Sequence, residues 1–153
     1  MAIEIGQPAP AFDLPDPANE RVKLSDFAGE KAVALVFYPF TFTGVCEGEL
    51  CQLRDDFSQF SDAGVQVLAV SCDSRHAQRI WTEQQGYNFP VLSDFWPHGE
   101  VAKAYGVFND ALGCANRATF VIDRDGIVVD VIESGDLGTP REASRYQEAL
   151  AKL

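Results

Sequence analysis

The feature that most constrains this chain is the stretch from Phe37 to Cys51, in which a cysteine falls where a helix must begin. A near-continuous apolar run, Ala32 to Phe37, feeds into it, as expected of a central strand covered on both faces. Leu50, Leu53, Phe57 and Phe60 leave it at amphipathic helical spacing. The stretch therefore joins a buried strand to a helix, and Cys46 lies in the first turn of that helix. A helix start offers unpaired backbone N–H groups and the positive end of the dipole. Both favour a thiolate over a thiol, and the thiolate is the nucleophilic form.

The flanking sequence sets the architecture. Ala11–Leu14 and Arg21–Leu24 read as short strands around a polar turn at Asp16–Glu20, and Ser25–Gly29 as a helical turn. The helix from about Gly44 runs to Ala63 and is closed by Gly64. Val65–Val70 reads as the next central strand, followed by a helix capped by Asp73 or Ser74 and ending near Gln85, before Gly86. Pro90–Ser93 is a short strand, Phe95–His98 a loop and Glu100–Tyr105 a short helix. Ala118–Ile122 and Ile127–Ile132, around Asp123-Arg124-Asp125-Gly126, predict a hairpin, and Glu142–Lys152 a terminal helix. Strands alternating with helices, then a late hairpin, predict an α/β fold with a mixed central sheet and helices on both faces. The 153 residues predict one domain, 1–153.

Charge and cysteine usage narrow the partners. A net charge of −11 argues against nucleic acid and against anionic membranes, since both require a basic face. No apolar run approaches the ~20 residues of a membrane span. The stretch Met1–Pro8 lacks the basic start and apolar core of a signal peptide, so a cytoplasmic protein is expected. Cysteines 46, 51, 72 and 114 include no CxxC pair and have no histidine at zinc-ligand spacing. Neither a metal nor another cofactor is expected.

Pro39, three residues, Thr43, two residues, Cys46, with Glu49 three further on, resembles the active-site loop of the peroxiredoxins. The resemblance extends over nearly the whole chain and implies a thioredoxin-like fold with an N-terminal extension. It implies a thiol-dependent peroxidase that reduces hydrogen peroxide, organic hydroperoxides and peroxynitrite through a Cys46 sulfenic acid. Thr43 would place its hydroxyl beside the sulfur and the incoming peroxide, and the Pro39 ring would shield the sulfur from water. Arg117 matches by position the arginine that supplies positive charge, and Glu49 would orient it. The bland alternatives are a buried structural Cys46, a helix-capping Thr43, a surface Arg117 and a Glu49 that only complements the helix dipole. The implied partners are a peroxide, a reducing thiol or redoxin of the thioredoxin or mycoredoxin/mycothiol type, and a second copy of the chain. Phe95 and Trp96 are candidates to face that copy.

Within the peroxiredoxins, Phe89–Gly99 and Ala104–Asn109 are similar to the actinobacterial alkyl hydroperoxide reductase E group, which uses one cysteine. Cys51 departs from that group; its C-x4-C spacing from Cys46 resembles the bacterioferritin-comigratory branch, where the resolving cysteine shares the helix. Cys51 is thus the first candidate to resolve Cys46, with Cys72 and Cys114 behind it. Five residues of helix rise about 7.5 Å and turn about 140°, placing the two Cα atoms roughly 8–9 Å apart. A disulfide tolerates about 4.4–6.8 Å, so the first turns must unwind for that bond to form. Two rival functions remain at this stage. A thioredoxin-like thiol–disulfide oxidoreductase would want CxxC at this helix start, where Thr43 holds the first position. A peroxide-sensing protein would use Cys46 without turnover.

Overall fold

The computed structural model describes residues 2–153; Met1, which opens the N-terminal stretch read above, lies outside the described residues. A five-stranded sheet is built from β3 (Ala32–Phe37), β4 (Val65–Ser71), β5 (Val91–Ser93), β8 (Ala118–Ile122) and β9 (Val128–Glu133) in the order β5-β4-β3-β8-β9. β3, β4 and β5 run parallel, and β8 and β9 are antiparallel to their neighbours, so the sheet is mixed as expected. β3 is the central strand, buried along its whole length because both faces are covered.

Its side chains alternate between two cores, as the pleat requires. Ala32, Ala34, Val36 and Tyr38 enter one core with Leu50, Leu53, Phe60, Trp81 and Tyr146. Val33, Leu35 and Phe37 enter the other with Phe12, Val101, Tyr105 and Phe120. The first core lies under α1 (Gly44–Asp55), α2 (Phe57–Asp62), α3 (Arg75–Gln85) and α5 (Ser144–Leu150). The second lies under α4 (Glu100–Ala104) and the antiparallel N-terminal pair β1 (Asp13–Pro15) and β2 (Arg21–Lys23). A small ribbon, β6 (Phe108–Asn109) with β7 (Cys114–Ala115), precedes β8 and was absent from the sequence expectation.

The long helix expected over 44–63 is two helices. Asp56 takes φ −95°, ψ 16°, and Gln52 Nε2 donates to its carboxylate at 2.6 Å. The break lies in the backbone at Asp56, since an i,i+4 Gln–Asp contact is one that supports a helix. Of the two caps offered for α3, Ser74 is the one used, accepting the Ala77 amide at 3.3 Å. That leaves the Asp73 carboxylate free for other partners. In the β8–β9 turn, Asp123 Oδ1 accepts the amides of Asp125 and Ile127 at 2.9 and 3.0 Å. The terminal helix is shorter than expected at both ends. Among the described residues no helix is long and apolar enough to cross a membrane.

Candidate active site

Cys46 is the third residue of α1 and is fully buried beneath the loop that leaves β3. Pro39, also buried, lies in that loop. Thr43 is the residue before α1, in extended backbone, and makes no side-chain cap. Its hydroxyl instead donates to the Phe40 carbonyl at 2.7 Å. With its proton so committed, the Thr43 oxygen retains lone pairs able to accept from a hydroperoxide O–H.

The positive charge comes from two arginines rather than one. Arg117 Nη1 donates to Glu49 Oε1 at 2.7 Å, and its Nε donates to the Leu137 carbonyl at 2.7 Å. Arg141 donates to the same carboxylate through Nη2 at 2.9 Å, Nε at 3.0 Å and its backbone amide at 2.7 Å. Its Nη1 donates to the Phe37 carbonyl at 2.7 Å and to Thr119 Oγ1 at 3.3 Å. All three side chains are almost wholly buried, Arg141 at 1% exposure. Burial pushes the Glu49 carboxyl up, but hydrogen bonds and charge from Arg141, then the charge of Arg117, outweigh it and hold Glu49 below the usual carboxylate range. Burial works against the charged Arg141 too, yet Tyr146, Glu49 and the nearby Cys46 sulfur hold its guanidinium firmly protonated.

Glu49 is therefore built into a buried ion cluster, where helix-dipole complementarity alone would have left it exposed and unpaired. Arg117 is buried, not a surface arginine. Arg141 was missing from the sequence expectation. It follows the segment Ser134–Pro140 and carries no periodic signal, so nothing local in the sequence marks it as buried.

The other cysteines fall into two groups. Cys51 is half-buried on α1, with Sγ 3.5 Å from Gln85 Oε1 and 3.8 Å from the Tyr87 hydroxyl. Glu47, one turn before it, accepts Gln85 Nε2 at 2.8 Å and Trp81 Nε1 at 3.2 Å. Cys72 and Cys114 are buried, and burial is the chief cause that pushes Cys72 up to about 12 and Cys114 above its ordinary value. Both are held as thiols at neutral pH, the unreactive form. His98 is structural, with its ring nitrogens at the carbonyls of Phe95 and Gly113. A cleft of about 850 Å³ opens between the N-terminal hairpin and the β5–α4 loop, but no residue of the Pro39–Cys46 loop lines it.

A mixed five-stranded sheet with a cysteine at the start of the helix after its central strand, faced by buried cations, defines a thiol-dependent peroxidase of thioredoxin-like fold. Residues 5–131 match the AhpC/TSA family, and the chain belongs to it, as a peroxiredoxin. Over 151 residues it is 46% identical to alkyl hydroperoxide reductase E of Mycobacterium tuberculosis, covering 99% of this chain and 98% of that relative. Its fold superimposes on the crystal structure of Enterococcus faecalis AhpC with a TM-score of 0.86 at 30% identity, over 99% of this chain and 92% of the other. Peroxidoxin BcpB from Mycobacterium tuberculosis gives a TM-score of 0.85 at 32% identity, over 98% and 96%.

The ion cluster yields a pH-dependent prediction. Glu49→Gln leaves two buried guanidiniums without a counter-charge and should destabilise the protein by about 3–5 kcal/mol near neutrality, read by urea denaturation. The Glu49 contribution is complete above its unfolded pKa, about 4.3, and is lost as pH falls through the lower folded value. The gap between wild type and variant should therefore close on acidification. A gap that stays constant through the acid limb would show that Glu49 is not the titrating group.

Proposed function

We propose that Cys46 carries the peroxidase cycle, with Arg141 and Arg117 as its electrostatic partners, Glu49 as their orienting group, and Thr43 and Pro39 shaping the approach. The observation that carries this reading is the delivery of two buried guanidiniums, bridged by Glu49, to the helix start where Cys46 lies. The Cys46 thiolate attacks the terminal oxygen of the peroxide, the S–O bond forms and the O–O bond breaks. The electron pair leaves on the distal oxygen, which departs as water or an alcohol after taking a proton, or as nitrite from peroxynitrite. Donors fixed in a dry site stabilise that developing charge without having to reorganise. Thr43 accepts a hydrogen bond from the hydroperoxide O–H and fixes the in-line approach. Hydrogen peroxide, organic hydroperoxides and peroxynitrite all present the O–O bond this chemistry needs.

The product, a Cys46 sulfenic acid, is resolved by Cys51: the Cys51 sulfur attacks Cys46, the disulfide forms and water leaves. Cys72 and Cys114 are poor competitors because burial holds their protons on. Cys46 and Cys51 occupy the same intact helix, so its first turns must open, and the Glu47–Gln85–Cys51 contacts to α3 must let go. Gly48 lies between the cysteines and weakens that turn. An external reducing thiol or redoxin, of the thioredoxin or mycothiol/mycoredoxin type, then supplies two electrons and restores both thiols. A cytoplasmic location, where such reductants keep thiols reduced, is part of the proposal, and fractionation of the source cells checks it.

A homodimer is the proposed working unit. Trp96 is 83% exposed and Phe95 49%, with Leu112 exposed as well, an apolar group of the kind interfaces enclose. Sedimentation velocity at micromolar concentration should give a dimer; a monomer would remove this part of the proposal.

Cys46→Ser should abolish peroxide consumption while keeping the wild-type circular dichroism, and substantial turnover in that variant would sink the assignment. Peptide mapping of peroxide-treated wild type, without reduction, should show a Cys46–Cys51 link that is missing in Cys51→Ser. A persistent sulfenic acid in the wild type, removed only by added thiol or redoxin, would defeat the internal route and restore a one-cysteine cycle.

A further inference from the structure

We propose that Asp73 is a positioning residue for the peroxidase reaction: its carboxylate accepts the Thr41 amide and so holds the β3–α1 loop in the form that presents Thr43 and Cys46 to the peroxide. The proposal rests on the reading of Cys46 as the nucleophile. Asp73 Oδ2 accepts the Thr41 N–H at 2.7 Å across a separation of 32 residues. The Thr41 hydroxyl is 3.0 Å from the Tyr38 hydroxyl, so Thr41 is fixed at both its backbone and its side chain.

The loop needs such a clamp. Phe42, the next residue, has φ +67°, in the left-handed region that a bulky side chain rarely adopts. Its ring is 53% exposed and touches only the edge of the aromatic core, with a centroid 6.2 Å from that of Trp81. Packing alone does not hold it there. A backbone in a sparsely populated conformation persists only where its surroundings over-determine it. Here two hydrogen bonds bracket it, Thr41 N–H to Asp73 before and Thr43 hydroxyl to the Phe40 carbonyl after. Pro39 has no N–H to contribute.

Asp73 is itself anchored in rigid structure. The Ser71 hydroxyl donates to the same Oδ2 at 2.7 Å, and Gln78 Nε2 donates to Ser71 at 2.9 Å and to the Leu92 carbonyl at 2.8 Å. Ser93 donates to the Asp73 carbonyl at 2.6 Å. The ends of β4 and β5 and the first turn of α3 thus fix one carboxylate oxygen, and that oxygen fixes the loop. The carboxylate does no capping work, which Ser74 performs. Its charge is a cost in this place: after burial, it is among the causes that raise the Tyr38, Cys72 and Cys114 protons' affinity. A charge that opposes anions nearby is retained for its geometry as an acceptor.

The test compares Asp73→Ala with Asp73→Asn. A single oxygen accepts both Thr41 and Ser71, so the amide oxygen of Asn preserves both bonds while the charge is lost. Oxidation of Cys46 by hydrogen peroxide, followed by stopped-flow tryptophan fluorescence, should slow by roughly 10–10² in the alanine variant, the scale of a misplaced reacting group. It should return towards the wild-type rate in the asparagine variant. Alkylation of Cys46 by iodoacetamide, which needs a thiolate but no aligned Thr43, should not slow in either. A wild-type peroxide rate in Asp73→Ala overturns the proposal, as does an asparagine variant as slow as the alanine one, or a parallel fall in alkylation. If Asp73→Ala does not fold, Ser71→Ala, which releases the carboxylate from its second donor, should slow the peroxide reaction, and a wild-type rate there overturns the proposal equally. Cys46→Ser in the same assay separates the two readings, because residual peroxide reaction in it would defeat the nucleophile and not the clamp.

Discussion

One carboxylate held between two guanidiniums is the interaction on which the site depends. Glu49 belongs to α1, Arg117 stands just ahead of β8, and Arg141 lies ahead of α5, so a single buried cluster ties three elements that no stretch of backbone pairing joins directly. Such clusters are weak sources of stability, because taking the charges out of water costs about as much as their attraction returns. Their value here is positional. Arg141 also grips the Phe37 carbonyl at the end of the central strand, so the cation is registered against the same strand that launches the catalytic loop. Two positive charges against one negative leave the cluster with a surplus of one. That surplus sits one turn of α1 from Cys46.

α1 is consequently held on two sides for two purposes. Glu49 faces the arginines. Glu47 and Cys51, four residues apart and so on one face, meet α3 through Gln85 and Trp81, and Tyr87 just beyond its end. Arg54 reinforces this seam by donating to the Gln85 carbonyl. In the proposed cycle the arginine side stabilises charge during attack on the peroxide, and the α3 side governs whether the helix start can open afterwards. These contacts share no atoms, so attack and resolution are separable by substitution.

What the sequence disclosed was what lies close together along it. The apolar run into β3, the loop residues Pro39, Thr43 and Cys46, Gly64 and Gly86 as helix stops, and the β8–β9 hairpin each depend on neighbours a few residues away. The residues that escaped notice act over long separations. Arg141 meets Glu49 across 92 residues, and hydrophobic periodicity is blind to a buried arginine because it scores one as solvent-facing. Asp73 was legible only as a candidate helix cap, since nothing near it in sequence reveals Thr41 as its partner. The break at Asp56 shows the converse limit: Leu50, Leu53, Phe57 and Phe60 keep helical phase straight through it, so periodicity does not register a backbone change at one residue.

The position of Arg141 in the chain has an evolutionary consequence. The guanidinium that touches Phe37, Thr119 and Glu49 is carried eight residues beyond Glu133, the last residue of β9. A copy of this gene truncated after β9 would still encode every sheet strand, the nucleophile, Thr43 and Arg117. It would nonetheless strand Glu49 with a single cation and erase the surplus charge. Drift in the segment from Ser134 to Pro140, whose Leu137 carbonyl also holds Arg117, is therefore constrained by reach: its length and path must keep delivering one guanidinium to the same spot.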